Sequence, residues 1–128
     1  MKYEYGIMKE KERDIVNRTF NYSVTVVKFC KKLESGNKEF ILSKQLLRSA
    51  TSVGANIREA QNAESKMDFI HKMGIAQKEM DESIYWIDLI TATEKINIAL
   101  IEPIRNESIE LLKIIRTIIL NTKKNLSS

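Results

Sequence analysis

The sequence predicts an all-α fold, an antiparallel up-and-down four-helix bundle, on three observations. Apolar residues recur at spacings of four and three through four long segments. Four glycines and one proline are too few for the many turns of a sandwich or barrel. The composition leans on Ile, Lys, Glu, Leu and Ala, a helical mixture. A chain of 128 residues fits a single domain over 1–128, and such a chain buries roughly two-thirds of its surface. Residues 1–8 and 122–128 are expected to fray.

The first helix is expected from about Lys9 to Leu33. It carries two adjacent stripes, Val16-Phe20-Ser23-Val27-Cys30 and Tyr22-Val26-Phe29-Leu33. Together they make an apolar face wider than one neighbouring helix needs. Glu34 to Lys38 then reads as a stop and turn, with Gly36 as the left-handed cap. The second helix is expected from about Glu39 to Ala63, with Leu46, Ala50, Val53, Ile57 and Ala60 on its apolar stripe. A polar seam of the same period runs beside it: Gln45, Ser49, Ser52, Asn56 and Glu59. Half-buried polar groups need partners, so this seam is expected to be an internal hydrogen-bond network. The small residues Ser49, Ala50, Ser52, Gly54 and Ala55 would admit another helix closely.

Ser65 is expected to cap the third helix, with Asp68 supplying a carboxylate to its first turn. The helix should run to about Glu94 on the stripe Phe69, Met73, Ala76, Met80, Ser83, Ile87 and Ile90. Gly74 inside it costs about 1 kcal/mol relative to alanine, and the missing side chain leaves room for a bulky neighbour. Pro103 suits the first turn of the fourth helix, where an absent N–H costs nothing. Ile104, Ser108, Leu111, Ile115 and Ile118 continue the stripe, and Leu112, Ile114, Ile119 and Leu120 add apolar surface on other sides. A lone bundle would expose part of that surface, which points to self-association. Short connections favour antiparallel neighbours. On that register Arg48 should hydrogen-bond to Glu82 or, failing that, Asp81.

One cysteine, Cys30, cannot form an internal disulfide, which fits a reducing compartment. No signal peptide and no membrane-length apolar run is expected, so the predicted location is cytoplasmic. Catalytic constellations are not expected. A di-iron bundle needs two Glu-x-x-His pairs, whereas this chain has one histidine, His71, three residues after Asp68. Lys66 and His71 resemble the Arg…His motif of a HEPN ribonuclease, but an ammonium lacks the planar fork of a guanidinium. The acids Glu79, Asp81, Glu82 and Asp88 on the third helix read as a face answering neighbouring bases. No metal and no cofactor is expected.

The stretch from Leu42 to Ile90 resembles the bacterial four-helix-bundle family of 23S rRNA intervening-sequence proteins. The matching pieces are Gln45-Leu46-Leu47-Arg48-Ser49, Ser52-Val53-Gly54-Ala55-Asn56-Ile57, Glu59-Ala60, Ser65 with Phe69, Ile75-Ala76, Lys78-Glu79, Glu82 and Tyr85-Trp86. Many members have Asn-Ile-Ala-Glu-Gly where this chain has Asn56-Ile57-Arg58-Glu59-Ala60. The resemblance implies a four-helix protomer and a homopentameric ring. A related branch, the accessory variability protein of diversity-generating retroelements, implies nucleic acid and a nucleic-acid enzyme as partners. It supplies no catalytic residue.

The formal charge of +4 is slight for one chain, but a ring multiplies it by its number of copies. The expected function is therefore a non-enzymatic oligomeric module that binds RNA or DNA. The alternative is a structural or protein-interaction scaffold. The expected contact surface is the end that gathers Arg58, Lys66, Lys72, Arg116, Lys123 and Lys124, diluted by acids such as Glu59 and Glu64. The other end has Lys31, Lys32, Lys38, Lys44 and Lys95. Arg48, Ser52, Asn56, Glu59, Glu79 and Glu82 form the expected structural polar seam.

Overall fold

The computed structural model describes residues 14–126. It contains α1 (Ile15–Asn37), α2 (Ile41–Ala60), α3 (Lys66–Thr93) and α4 (Ile98–Leu126). The expected helix start at Lys9 and the fraying of 1–8 lie outside the described residues. Each helix packs on the next in sequence, and α4 closes the ring on α1. The contacts run in antiparallel order, with Arg48 on Glu82 and Glu59 beside Lys72 across α2 and α3, and Tyr22 joins Ser108 across α1 and α4. The fold is the antiparallel four-helix bundle that the periodicity predicts.

Local chemistry sets the ends of the elements, and here the structure departs from several expectations. α1 does not stop at Gly36. It continues to Asn37, and the left-handed residue is Lys38, at φ 57°. Asn37 holds that geometry by donating its side-chain amide to the Lys95 carbonyl at 3.1 Å and to Glu94 at 3.4 Å. The α1 terminus is thereby tied to the α3–α4 connection, which offsets the strain of a non-glycine cap. Glu39 precedes α2 rather than starting it. Its carboxylate accepts the N–H groups of Ile41 and Leu42 at 2.7 and 2.8 Å, satisfying donors the helix leaves open. α2 ends at Ala60, and 61–63 form a turn.

Ser65 caps α3 as expected, accepting the Asp68 N–H at 3.0 Å, while Asp68 accepts the Glu64 N–H at 3.2 Å. α4 starts five residues before Pro103, so the proline sits in the second turn rather than the first. Asn97 caps the helix through the Ala99 N–H at 3.0 Å, and Ile101 anchors the added turn in the core. The Ala99 carbonyl loses its helical donor at Pro103, but both residues are exposed, so water can serve. The C-terminal segment expected to fray is helical through Leu126, with Thr122 buried.

The core is built from Ile15, Tyr22, Val26, Phe29, Cys30 and Leu33 of α1, the expected stripes of α2 and α3, and the isoleucines and leucines on the inner side of α4. Leu112, Ile114 and Ile119 are buried within the single chain, at 5–7% exposure, and of that set only Leu120 stays outside. Much of the surplus apolar surface expected of the fourth helix is thus absorbed in the protomer, while Ile98, Leu100, Leu120 and Leu126 remain exposed toward its ends. α1 is different. Its second stripe is core, whereas on the first only Cys30 is buried, Val16, Ser23 and Val27 are half-buried and Phe20 is exposed. Gly54 lets α1 and α2 approach closely, since a Cβ there would lie 3.3 Å from the Thr19 carbonyl oxygen. Gly74 admits no neighbour: nothing lies within 4 Å of where its Cβ would be.

Candidate nucleic-acid interface

The polar seam on α2 forms separate bonded pairs rather than one internal network, and Gln45 lies exposed at its start. Arg48 donates to Glu79 at 3.0 Å and to Glu82 at 3.3 Å. The bond to Glu82 matches the expected register, and the shorter one goes to Glu79, one turn earlier on α3. Ser49 and Ser83 share a buried hydrogen bond of 2.8 Å, and Asn56 donates back to the Ser52 carbonyl and hydroxyl. Glu59 sits 3.7 Å from Lys72. The remaining acids of α3 are answered in the same way: Asp81 by Arg116 at 3.5 Å and Asp88 by Arg105 at 2.7 Å. Among the described residues no three His, Cys, Asp or Glu side chains group as a metal set.

Deeper in, hydroxyls join the helices. Tyr22 Oη and Ser108 Oγ lie 2.7 Å apart in the core. Burial pushes the Tyr22 phenol up to about 12, although the hydroxyls of Ser108 and Ser83 favour its ionised form. Burial likewise raises the Cys30 thiol to about 11, partly offset by its hydrogen bond to Ser43. Neither group is poised as a nucleophile near neutral pH.

The basic residues expected at one end are spread among different partners. Lys72 and Arg116 face Glu59 and Asp81. Lys66 donates to the Asn125 carbonyl at 3.4 Å, pinning the start of α3 to the end of α4. Lys123 and Lys124 lie exposed in the last turn of α4. Arg58 stands apart from this cluster. Its guanidinium lies over the Phe20 ring, 5.6 Å from the centroid, on the rim of a groove between α1 and α2.

A second cationic surface emerges that the expected end cluster omits. From Ile15 to Leu33, α1 contains no Asp or Glu. Its exposed side presents Lys28, Lys31 and Lys32 beside Val24 and Phe20. Lys28 and Lys32 also edge a groove of about 230 Å³ between α1 and α4. The signal was present in the sequence as that acid-free run.

A profile of the family described as 23S rRNA-intervening sequence protein matches residues 11–117, most of the chain. The chain belongs to the 23S rRNA-intervening sequence protein family. This member of the family is also similar to a crystal structure from Bacteroides thetaiotaomicron, described as a protein of unknown function from the S23 ribosomal protein family. The two are 45% identical with a TM-score of 0.79, covering 82% of this chain and 97% of the other. Neither description names a catalytic activity. Comparison with curated proteins finds no match. Within this family member, no helix among the described residues is long and apolar enough to cross a membrane.

Proposed function

We propose that this chain is a non-enzymatic, self-associating module that binds RNA or DNA and serves beside a nucleic-acid enzyme in the cytoplasm. The observation that carries the reading is the acid-free outer side of α1. Three exposed lysines there, Lys28, Lys31 and Lys32, make no ion pair among the described residues, whereas Arg48, Arg105 and Arg116 are paired with acids. A cation already paired has little field left to offer a phosphate; an unpaired one has all of it. Lys66, Lys123 and Lys124 extend the basic surface at one end of the bundle.

Self-association, with the five-fold ring that the family resemblance implies, would repeat these weak contacts. Large apolar side chains remain exposed toward the bundle ends for that purpose: Phe40, Ile41, Ile98 and Leu100 at one, Met67, Leu120 and Leu126 at the other. Native mass spectrometry at micromolar concentration should show the oligomer, and a monomer alone would remove this part of the reading. Binding should be of about micromolar strength and should weaken steeply with salt, because phosphate contacts release counterions. Titration of labelled RNA and DNA at low and moderate salt tests it. Absence of binding at low salt would favour a protein-interaction scaffold, for which the same exposed apolar residues would be the contact points.

A further inference from the structure

The groove between α1 and α2 has a volume of about 320 Å³ and is lined by Val16, Phe20, Gly54, Ala55 and Arg58, among others, with no carboxylate. Its openness has a specific cause. Gly54 and Ala55 have no side chain long enough to cover the neighbouring α1 surface, so the Phe20 ring stays 54% exposed. Soluble proteins expose large aromatic rings singly without consequence, but this ring is not alone. Arg58 is held over it by a cation–π contact.

Arg58 is also exceptional among the arginines. Arg18 pairs with Glu107 at 2.7 Å, Arg48 with Glu79, Arg105 with Asp88 and Arg116 with Asp81. Of the described arginines, Arg58 alone has no carboxylate partner, and among the described residues none of its N–H donors has an acceptor. An exposed aromatic ring beside a guanidinium with five free donors suits a ligand that is flat and apolar at one end and anionic at the other.

We propose that this groove is a stacking subsite for single-stranded nucleic acid, taking an unpaired base against Phe20 and the adjoining phosphate on Arg58. The proposal rests on the nucleic-acid-binding reading above and names the strand state and the residues that recognise it. A duplex keeps its bases stacked on one another and cannot offer one to Phe20. An acidic protein segment would satisfy Arg58 equally, but the surface beyond the groove favours a polyanion. From Phe20 to Lys31 the helix advances about 16 Å, with Lys28 and Lys31 as the next cations and no acid between. That spacing supports a strand whose backbone continues along α1.

The test compares the full chain with Phe20→Leu and Arg58→Gln against a labelled single-stranded oligonucleotide and a duplex of equal length, each over a range of salt. Circular dichroism and native mass spectrometry accompany each variant. The expected result is a single-strand preference in the wild type, lowered at least about fivefold by Phe20→Leu, with duplex affinity unchanged. Arg58→Gln should reduce the salt slope for the single strand by about 0.7. If the wild type binds and Phe20→Leu binds the single strand equally well, the stacking subsite is overturned while nucleic-acid binding stands. If Phe20→Leu instead changes the oligomeric mass, the groove is a seam between copies and the proposal falls. If the wild type binds neither probe at low salt, the underlying reading fails and takes this one with it.

Discussion

The two stripes of α1 are near-duplicates in sequence and opposites in the structure. One runs Val16-Phe20-Ser23-Val27-Cys30, the other Tyr22-Val26-Phe29-Leu33, both with an aromatic, a valine and helical spacing. The second is buried throughout, while the first enters the core only at Cys30, and its Val16, Phe20 and Ser23 edge a groove that leaves Phe20 open. The difference is made by the neighbours. Tyr22 meets Ser108 of α4, while Phe20 faces Gly54 and Ala55 of α2, which are too small to cover it. Periodicity therefore marks a face as apolar, and the side chains opposite decide whether that face becomes core or contact surface.

The largest contrast should come from truncating one aromatic on each stripe. Phe29→Ala removes a ring that is 6% exposed and should cost about 3–5 kcal/mol in denaturant unfolding. Phe20→Ala should cost under about 1 kcal/mol, because much of its ring already meets water. Comparable losses at both sites would break the distinction between the stripes.

A pH titration sharpens the inner half of the comparison. The Tyr22 phenol, raised from 10.0 to about 12, loses its proton more easily in the unfolded chain than in the fold. Its contribution is thus complete below pH 10 and is lost as the pH climbs toward 12. Cys30 behaves alike between 9.0 and about 11. Each is an effect of at most about 2–3 kcal/mol. Tyr22→Phe should flatten the decline between pH 10 and 12 relative to the wild type, and an unchanged slope would show that the phenol is not sheltered.

The glycines offer a third comparison, between a packed site and an open one. Gly74→Ala fills empty space on an exposed helix and should raise stability by about 1 kcal/mol. Gly54→Ala gains the same propensity but sets a Cβ 3.3 Å from the Thr19 carbonyl oxygen, so its net effect should be zero or negative. Thermal melts of the two variants shifting in the same direction and by the same amount would mean that α1 and α2 can part without cost. The smallest effects belong to the cations. Arg48→Met should lose up to about 1 kcal/mol, since Arg48 is half exposed though bonded to nearly buried Glu79. Arg58→Met should leave stability unchanged within error.

The sequence alone determined the class, the number of helices, their antiparallel order and the apolar stripes of α2, α3 and α4. These follow from local periodicity and short connections, which need no knowledge of what lies across the interface. It also placed the Ser65 cap and the Arg48–Glu82 bond, because the first is local and the second follows from counting residues away from a tight turn. Tertiary structure decided the rest. Lys38 rather than Gly36 became the left-handed residue because Asn37 found partners on the distant α3–α4 connection. Leu112, Ile114 and Ile119 went inside because the bundle wraps more of α4 than a single stripe suggests. Which cations stay unpaired depends on whether a carboxylate lies within about 4 Å in three dimensions, a distance the linear order does not encode. Arg116 and Arg58 look alike in the sequence, and only the position of Asp81 separates them.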